Sequence, residues 1–188
     1  TPELTNTGSF EKCWCLIDGK WVMLKQGSIN ELFSEIFVAE LGKRIGYSMA
    51  EYRVINGCAA TPDFTEGRLN FEPMADLSGE NGEFVDNYKV LKRLHPGLER
   101  EYLDILFMDA LVYNVDRHTQ NFGILRDSKT GAILSMAPNF DNNMALISRG
   151  YAEDPLQTPN EMVNMFRELL DTERIPYPFP DLAESLVR

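Results

Sequence analysis

The chain has 188 residues, 44% of them hydrophobic, which is enough for one domain or two small lobes with a buried core. A formal net charge of −11 makes the phosphate backbone of DNA or RNA a poor partner, and three cysteines with two histidines argue against a disulfide scaffold or a zinc site. Because no apolar run reaches transmembrane length and no signal peptide is evident, we expect a cytoplasmic protein without a membrane partner.

The N-terminal stretch from Thr5 to Lys12 is a small polar loop that contains Gly8 and Ser9. The backbone N–H groups of such a loop can turn toward one point and bind an anion. The loop is not a Walker A motif, because the Gly-Lys-Ser/Thr ending is missing. We therefore expect either a phosphate-binding loop or a disordered tail.

Two short apolar strands follow, Cys13–Ile17 and Trp21–Lys25, and the segment that joins them begins with Asp18-Gly19. Asp-Gly between two apolar runs is a strong signal for a β-hairpin. Lys25 ends the second strand. A lysine at such a position is either solvated or directed at the phosphates of a nucleotide.

A helix is predicted from Ser28 to about Ile45. Ser28 and Glu31 form a capping box at its start, and Gly46 is a typical C-terminal stop. Glu35 lies one turn beyond the cap, too far into the helix to contribute to capping.

The middle of the chain is expected to form strands at Met49–Ile55 and Arg68–Phe71 with a loop between them. The acidic, glycine-rich stretch Asp76–Asp86 is predicted to be a mobile loop. A proline-rich break, residues 175–180, is predicted to precede a last short helix. The other helices are expected at Asn87–Leu94, Leu98–Tyr113 and Pro159–Leu170.

The most informative stretch is the short polar break after the Leu98–Tyr113 helix, where Asp116 and Asn121 lie five positions apart. An apolar, strand-like run, Phe122–Leu125, follows it. A carboxylate in such a loop can accept the proton of a substrate hydroxyl, and a carboxamide oxygen five residues later can hold a metal. The spacing alone is common by chance, but its placement between a helix and a strand favours a phosphoryl-transfer loop.

A second acidic site is predicted at Asp141. A β-hairpin formed by Phe122–Leu125 and Ala132–Met136 would return the chain to Asn121 shortly before Asp141. Asp141 would then face Asn121 across a gap able to hold Mg²⁺, which prefers oxygen ligands. The competing interpretation of residues 141–143 is an Asx-rich turn. Together with the polar loop, the metal site is the better interpretation.

Residues 114–122, Asn-Val-Asp-Arg-His-Thr-Gln-Asn-Phe, resemble the Asn-x-Asp-x-His-x-x-Asn-Phe catalytic loop of the HipA-like serine/threonine kinases. Asn139-Phe140-Asp141 is similar to the aromatic-Asp metal site of the same family. The resemblance implies that Asp116 is the catalytic base and that Asn121 and Asp141 are Mg²⁺ ligands. It also implies that His118 supports the loop by hydrogen bonding.

The same resemblance assigns roles in the N-terminal half. Lys25 would contact the phosphates of ATP and pair with an acidic residue of the helix that follows it. Glu35 is the residue chosen for that pair, with Glu31 and Glu40 as competing candidates. These roles would make Lys25 and Glu35 part of the catalytic set.

The nucleotide contacts are also implied by the resemblance. The stretch from Gly8 to Lys12 is similar to the family's Gly-x-x-x-Lys phosphate loop, in which Gly8 and Ser9 would contact phosphate. Asn70, Phe71 and Glu72, followed by Pro73 at the expected lobe junction, would form the hinge that meets adenine, and the resemblance supports the first two of these residues. Autophosphorylation is expected at hydroxyls of the N-terminal loop, namely Thr5, Thr7 and Ser9.

We therefore expect an α+β, two-lobed, protein-kinase-like fold. Residues 1–72 would form a β-rich N-lobe and residues 73–188 a mainly helical C-lobe. The expected activity is transfer of the ATP γ-phosphate, with Mg²⁺, to a Ser or Thr hydroxyl of a protein of unknown identity, together with autophosphorylation.

Three alternatives remain open. The Asp-Arg-His-x-x-Asn core is shared with phosphoinositide kinases, so a lipid or small-molecule kinase of the same fold is one of them, although the chain shows no basic patch for a lipid surface. A non-catalytic nucleotide-binding interaction module is the second, and the intact Asp116, Asn121 and Asp141 argue against it. The third is a soluble α+β domain with fortuitous motifs.

The length of the chain departs from the family pattern. Full-length HipA-like toxins are much longer, so we expect a minimal member or a fragment, and nothing in the sequence supports an antitoxin partner. Arg117 and Arg126 are expected to be solvated or to contact a phosphorylated segment.

Overall fold

The computed structural model of the chain describes residues 11–79, 82–146 and 160–187. It contains seven strands and six helices in this part of the chain. The strands are β1 (Lys12–Ile17), β2 (Lys20–Lys25), β3 (Arg53–Ile55), β4 (Cys58–Pro62), β5 (Leu69–Pro73), β6 (Gly123–Asp127) and β7 (Ile133–Met136). The helices are α1 (Ile29–Ile45), α2 (Met74–Ser78), α3 (Phe84–Leu94), α4 (Leu98–Val112), α5 (Glu161–Glu173) and α6 (Leu182–Val187).

The first sheet has the order β1-β2-β4-β3 and is antiparallel throughout. The predicted Asp18-Gly19 hairpin is confirmed: both residues have positive φ angles, 51° and 77°, as a type I′ turn requires. The predicted strand Met49–Ile55 is too long, because only its last three residues join the sheet. Strand β4 lies where a loop was predicted, since its Cys-Ala-Ala-Thr-Pro sequence carries little strand signal of its own.

The second sheet has the order β5-β6-β7 and contains the predicted hairpin after the polar loop. Gly123 allows β5 to approach closely: a Cβ at this position would lie 2.8 Å from the Pro73 Cα and closer still to the Glu72 carbonyl oxygen. The expected lobe boundary after residue 72 therefore falls inside β5, and the division of the chain into lobes at that residue stays a prediction.

The capping box at the start of α1 is confirmed. The Glu31 N–H donates to Ser28 Oγ at 3.3 Å, and the Ser28 N–H donates to Glu31 Oε2 at 2.8 Å. Gly46 ends this helix with a φ of 95°. The prediction of a loop over Asp76–Asp86 is wrong at both ends, because α2 extends to Ser78 and α3 begins at Phe84.

Helix α4 forms the centre of the larger hydrophobic core, which includes the buried Tyr102, Leu106 and Phe122 and packs α3, α5 and the second sheet together. A smaller core joins α1 to α4 through Val38 and Met108. Together these two cores fix the end of α4, and with it the polar loop that follows, beneath α1. In the described part of the chain, none of the helices has the length and hydropathy needed to cross a bilayer.

Candidate active site

Lys25, Glu35 and Asp141 converge from three distant parts of the sequence. Lys25 Nζ contacts Asp141 Oδ1 directly and lies 3.6 Å from Glu35 Oε2. Lys25 is 6% exposed and Glu35 is 1% exposed, so these two members of the cluster are shielded from water, whereas the Asp141 side chain is 19% exposed. The end of β2, the second turn of α1 and the segment after β7 therefore meet at one charged centre.

The geometry separates the three candidate glutamates of α1. Glu31 contributes to the capping box, and Glu40 pairs on the surface with Lys43 at 2.9 Å. Of the three, Glu35 is the one that the structure brings to Lys25. Its catalytic role stays a prediction.

Burial and charge act against each other in this cluster. Burial raises the pKa of Glu35, and the neighbouring Lys25 offsets only part of that rise. Burial also acts to raise the pKa of Asp141, but the positive charges of Lys25, Lys12 and Arg117 outweigh it, so this pKa lies below its ordinary value. Burial acts to lower the pKa of Lys25, and the two carboxylates raise it above its ordinary value. The cluster therefore favours a protonated Lys25 beside an ionised Asp141.

The polar loop after α4 holds Asp116, His118 and Asn121 in a tight turn. The Asp116 carbonyl oxygen accepts hydrogen bonds from the His118 N–H at 2.9 Å and from Asn121 Nδ2 at 3.1 Å. His118 is exposed, and its Nδ1 accepts the Gln120 N–H at 3.3 Å. Asn121 is therefore anchored through its amino group, and no hydrogen-bond donor in the described residues occupies its side-chain oxygen.

Arg117 is the main correction to the sequence interpretation, because it is buried and not solvated. Its side chain forms an ion pair with Asp109, and neither side chain is exposed. Its Nη1 donates to the carbonyl oxygens of both Asn121, at 2.9 Å, and Phe140, at 2.7 Å. One guanidinium therefore holds the two predicted metal-ligand segments next to each other.

A buried polar network surrounds this arginine, and sequence reasoning missed most of it. Arg117 Nη2 also donates to Asn139 Oδ1 at 2.9 Å and to Asn142 Oδ1 at 2.8 Å, and Asn114 Nδ2 donates to Asp109 Oδ1 at 2.9 Å. The signal that could have found it is Asp109, a charge within the apolar run of α4, because a buried carboxylate needs a partner.

Tyr52 and Lys12 are two further residues that sequence reasoning did not place in the site. The Tyr52 hydroxyl interacts with the Glu35 carboxylate and accepts the Asp141 N–H at 3.3 Å. Lys12 Nζ lies 4.0 Å from Asp141 Oδ2, and Lys12 is paired with Lys25 across the β1–β2 hairpin. Two lysines of one hairpin therefore face Asp141.

The three predicted hinge residues are divided between two faces of β5, because side chains alternate along a strand. Phe71 packs against Phe140, with ring centroids 5.6 Å apart, directly beside Asp141. Glu72 pairs instead with Arg126 at 2.5 Å, and Asn70 is exposed. The structure thus brings the side chain of Phe71 close to the charged centre, and not those of the other two.

The predicted phosphate-loop residues Gly8 and Ser9, and the hydroxyls of Thr5 and Thr7, lie outside the described residues. Among residues 11–79, 82–146 and 160–187, no group of three or more His, Cys, Asp or Glu side chains could hold a metal. The donors present, one carboxylate at Asp141 and one amide oxygen at Asn121, suit Mg²⁺, which takes one or two protein ligands and completes its shell with water and phosphate oxygens.

Comparison with solved structures confirms the predicted kinase-like fold. The proinflammatory kinase CtkA of Helicobacter pylori matches 89% of this chain with a TM-score of 0.65 at 20% identity. HipA of Shewanella oneidensis MR-1, from a complex of the toxin–antitoxin system HipA, HipB with operator DNA, matches 99% with a TM-score of 0.60 at 13% identity. These neighbours are HipA-like kinases. The chain spans 65% and 62% of their respective lengths.

At these identities the likeness shows the fold alone. No protein-family model and no curated protein sequence matches the chain.

Proposed function

We propose that this chain is a kinase that transfers the γ-phosphate of ATP, with Mg²⁺, to a Ser or Thr hydroxyl of a protein, and that it phosphorylates itself. The observation that supports the proposal most strongly is the Lys25–Glu35–Asp141 cluster beside a loop carrying Asp116 and Asn121. Protein kinases use a strand lysine paired with a helix glutamate, a metal-binding aspartate and a catalytic-loop asparagine in this combination.

Lys25 is the residue that would hold the phosphates of the nucleotide. Its ammonium group is charged, buried and held by Glu35 on one side and Asp141 on the other. Phosphate oxygens entering this site would replace part of the contact with Asp141 by a similar charged hydrogen bond. Glu35 would keep the lysine in place during that exchange, because it is fixed in turn by the Asn142 N–H at 3.1 Å.

Asp116 would accept the proton of the attacking hydroxyl. Its backbone is fixed by the loop hydrogen bonds, whereas none of the described residues donates a hydrogen bond to its half-buried carboxylate. A carboxylate with unoccupied oxygens can orient a hydroxyl and take its proton. His118 would support the turn through its bond to the Gln120 N–H.

Asp141 and Asn121 would hold Mg²⁺, which supplies charge neutralisation for the phosphates when bound. Arg117 would hold the two ligand-bearing segments close together, because it donates hydrogen bonds to the backbone of both. In this reaction class the protein contributes mainly positioning and electrostatic stabilisation, so the rigidity of this arrangement matters to the rate.

The proposal is tested by incubating the purified chain with Mg²⁺ and γ-labelled ATP and mapping the label by mass spectrometry. The test variant is Asp141→Ala, and the matched control is Asp171→Ala, which removes an exposed carboxylate from α5. We expect label on Thr5, Thr7 or Ser9 in the wild type and the control but not in Asp141→Ala.

If no protein is labelled, the proposed acceptor, a Ser or Thr hydroxyl of a protein, is wrong. A hydroxyl of a small molecule is then the alternative acceptor to test. If ATP with Mg²⁺ neither labels nor stabilises the chain against thermal unfolding, the kinase proposal fails. Stabilisation without any transfer, even with added hydroxyl substrates, would instead favour a nucleotide-binding interaction module.

A further inference from the structure

A short parallel bridge between the segment after α1 and the segment after β7 runs into the candidate active site. The Asn139 N–H donates to the Ser48 carbonyl oxygen at 2.9 Å, and the Ala50 N–H donates to the Asn139 carbonyl oxygen at 3.0 Å. In a regular parallel ladder the next hydrogen bond would join the Asp141 N–H to the Ala50 carbonyl oxygen. In this structure the Asp141 N–H donates instead to the Tyr52 hydroxyl at 3.3 Å. A side chain therefore provides the third hydrogen bond between the two segments.

Asp141 leaves the bridge because its backbone turns. Its φ angle is 58°, in the left-handed region that aspartate adopts more readily than most residues but still at some cost. With the backbone in this conformation, the Asp141 carboxylate contacts Lys25 Nζ. The hydrogen bond from Tyr52 is thus formed at the residue whose backbone conformation most needs support.

The Tyr52 hydroxyl is itself held by the Glu35 carboxylate, with which it forms a hydrogen bond. Burial and the negative charge of Glu35 raise the pKa of this hydroxyl well above its ordinary value, so it keeps its proton and donates it to Glu35. Its oxygen remains able to accept the Asp141 N–H. Glu35 also accepts the Asn142 N–H at 3.1 Å. Tyr52 and Glu35 together therefore hold two consecutive N–H groups of the metal-binding segment.

The Tyr52 hydroxyl has a different effect from the other contacts of its segment. The bridge already attaches the two segments through two backbone hydrogen bonds, and among the described residues Tyr52 belongs to neither of the two hydrophobic cores. What the hydroxyl fixes is the direction of one N–H group, and with it the rotation of the Asp141 backbone. Without it, the carboxylate would be less firmly held toward Lys25.

We propose that Tyr52 is a positioning residue, whose hydroxyl holds the Asp141 backbone in the conformation in which the carboxylate can bind Mg²⁺. The role rests on the proposed function, because Asp141 is assigned there as a Mg²⁺ ligand. Tyr52 acts through Asp141 and does not touch the metal or the reacting atoms. Loss of such an orienting partner typically lowers metal affinity about 10–100-fold.

The test variant is Tyr52→Phe, which removes the hydroxyl and keeps the ring. The matched control is Tyr177→Phe, because the Tyr177 hydroxyl also donates to a carboxylate, that of Asp104, at 2.7 Å. Thermal unfolding is followed at a fixed ATP concentration while free Mg²⁺ is varied, and again with ATP and no Mg²⁺.

We expect Tyr52→Phe to need at least about tenfold more Mg²⁺ for half-maximal stabilisation, and to respond to ATP alone as the wild type does. Tyr177→Phe should need the same Mg²⁺ concentration as the wild type. A lower unfolding temperature without ligand is expected of both variants, so the Mg²⁺ requirement separates positioning from a general structural role.

Amide hydrogen exchange, measured by NMR without nucleotide or metal, checks the contact itself. We expect faster exchange at Asp141 in Tyr52→Phe and unchanged exchange at Ala50, whose N–H stays in the bridge. Unchanged exchange at Asp141, an unchanged Mg²⁺ requirement in Tyr52→Phe, or an equal change in Tyr177→Phe would overturn the positioning role and leave the kinase proposal standing. If ATP with Mg²⁺ does not stabilise the wild type, the proposed function fails, and the positioning role fails with it.

Discussion

The guanidinium of Arg117 forms a bidentate ion pair with Asp109, with Nε 2.9 Å from Oδ2 and Nη2 2.9 Å from Oδ1. Neither side chain is exposed to solvent. The same arginine also bonds to the backbone of the polar loop and of the segment before Asp141. This pair is therefore a structural centre of the candidate active site.

Replacing Arg117 by lysine should destabilise the fold strongly. Lysine keeps the charge but cannot form the two-pronged contact, and disrupting a buried ion pair costs about 3–5 kcal/mol. We expect Arg117→Lys to lower the free energy of unfolding in urea by about 3 kcal/mol. The control is Arg126→Lys, where the pair with Glu72 has side chains 28% and 30% exposed; its loss should stay below about 1 kcal/mol. Equal losses in the two variants would contradict the assigned role.

Glu35→Gln should reduce phosphoryl transfer while Glu40→Gln should not. The first change removes the charge that holds Lys25, and misplacing a group that stabilises transferring phosphate costs about 100-fold or more in rate. The second change removes an equal charge from the exposed face of the same helix. Single-turnover transfer with γ-labelled ATP measures both, and a comparable loss in Glu40→Gln would argue against Glu35 as the partner of Lys25.

Substitutions of Asp116 and of Asp141 should impair phosphoryl transfer in different ways. Asp116→Asn removes the proton acceptor but leaves the phosphate and metal contacts, so transfer should fall by roughly 100-fold or more while stabilisation by Mg²⁺ and ATP persists. Asp141→Asn replaces a charged metal ligand by a neutral amide, so Mg²⁺ should bind more weakly and the stabilisation should depend less on Mg²⁺. Thermal unfolding with and without Mg²⁺ separates the two roles. If the two variants behave identically, the separate roles assigned to Asp116 and Asp141 are wrong.

Glu35 and Asp141 should give the stability of the fold opposite dependences on pH. Burial raises the pKa of Glu35 above its ordinary 4.5, so its contribution is fully present below 4.5 and is lost as pH rises through the raised value. For Asp141, burial acts upward, but Lys25 and its neighbours lower the pKa below 3.8. Its contribution is therefore present above 3.8 and is lost as pH falls through the lowered value.

Urea unfolding at a series of pH values around 3.8 and 4.5 measures these two contributions. Glu35→Gln should remove the part of the free energy of unfolding that declines as pH rises. Asp141→Asn should remove the part that declines as pH falls. If either variant keeps the full pH profile of the wild type, the corresponding residue does not titrate as the structure indicates.

Gly123→Ala should disrupt the second sheet. Its Cβ would lie 2.8 Å from the Pro73 Cα, and backbone cannot move aside as a flexible side chain can. Overpacking of this kind costs about 1–3 kcal/mol, and we expect the upper end, measured by urea unfolding. Gly131→Ala is the control in the same hairpin: it has a φ of 71° and open space around it, so its cost of about 1 kcal/mol is conformational. A smaller effect at Gly123 than at Gly131 would contradict the packing argument.

The elements that sequence reasoning predicted well are those with local signals. The Asp18-Gly19 turn, the capping box at Ser28 and the hairpin after the polar loop each depend on residues close together in the chain, so their patterns can be read directly. Strand β4 was missed although Asn56-Gly57, a strong hairpin signal, precedes it. Its small side chains Ala59 and Ala60 are buried between neighbours, and burial of this kind leaves little trace in local propensity.

The residues of the candidate site also divide into those with a local sequence signal and those without one. Asp116, Asn121 and Asp141 stand out because their spacing matches a known chemistry, and Lys25 because it ends a strand. Tyr52 could not be predicted from local pattern, since its partner Asp141 is 89 residues away in sequence. Arg117 pairs with Asp109 eight residues away, but its contacts with Asn139 and Asn142 span 22 and 25 residues. An arginine in a polar loop has the same local signature whether it is solvated or buried.

Asp141 has a φ of 58°, in the left-handed region that asparagine and aspartate adopt more readily than most residues. An exchange to asparagine therefore carries little backbone penalty, and Lys25 would retain Glu35 as a partner. A single nucleotide transition in the codon makes that exchange, so, under the proposed function, a folded variant without this charged metal ligand lies one mutational step away. Selection for folding would oppose the exchange only through the ion pair with Lys25 that it removes. Under the proposed function, retention of aspartate at position 141 across diverging lineages would record selection for metal binding in addition to selection for this ion pair.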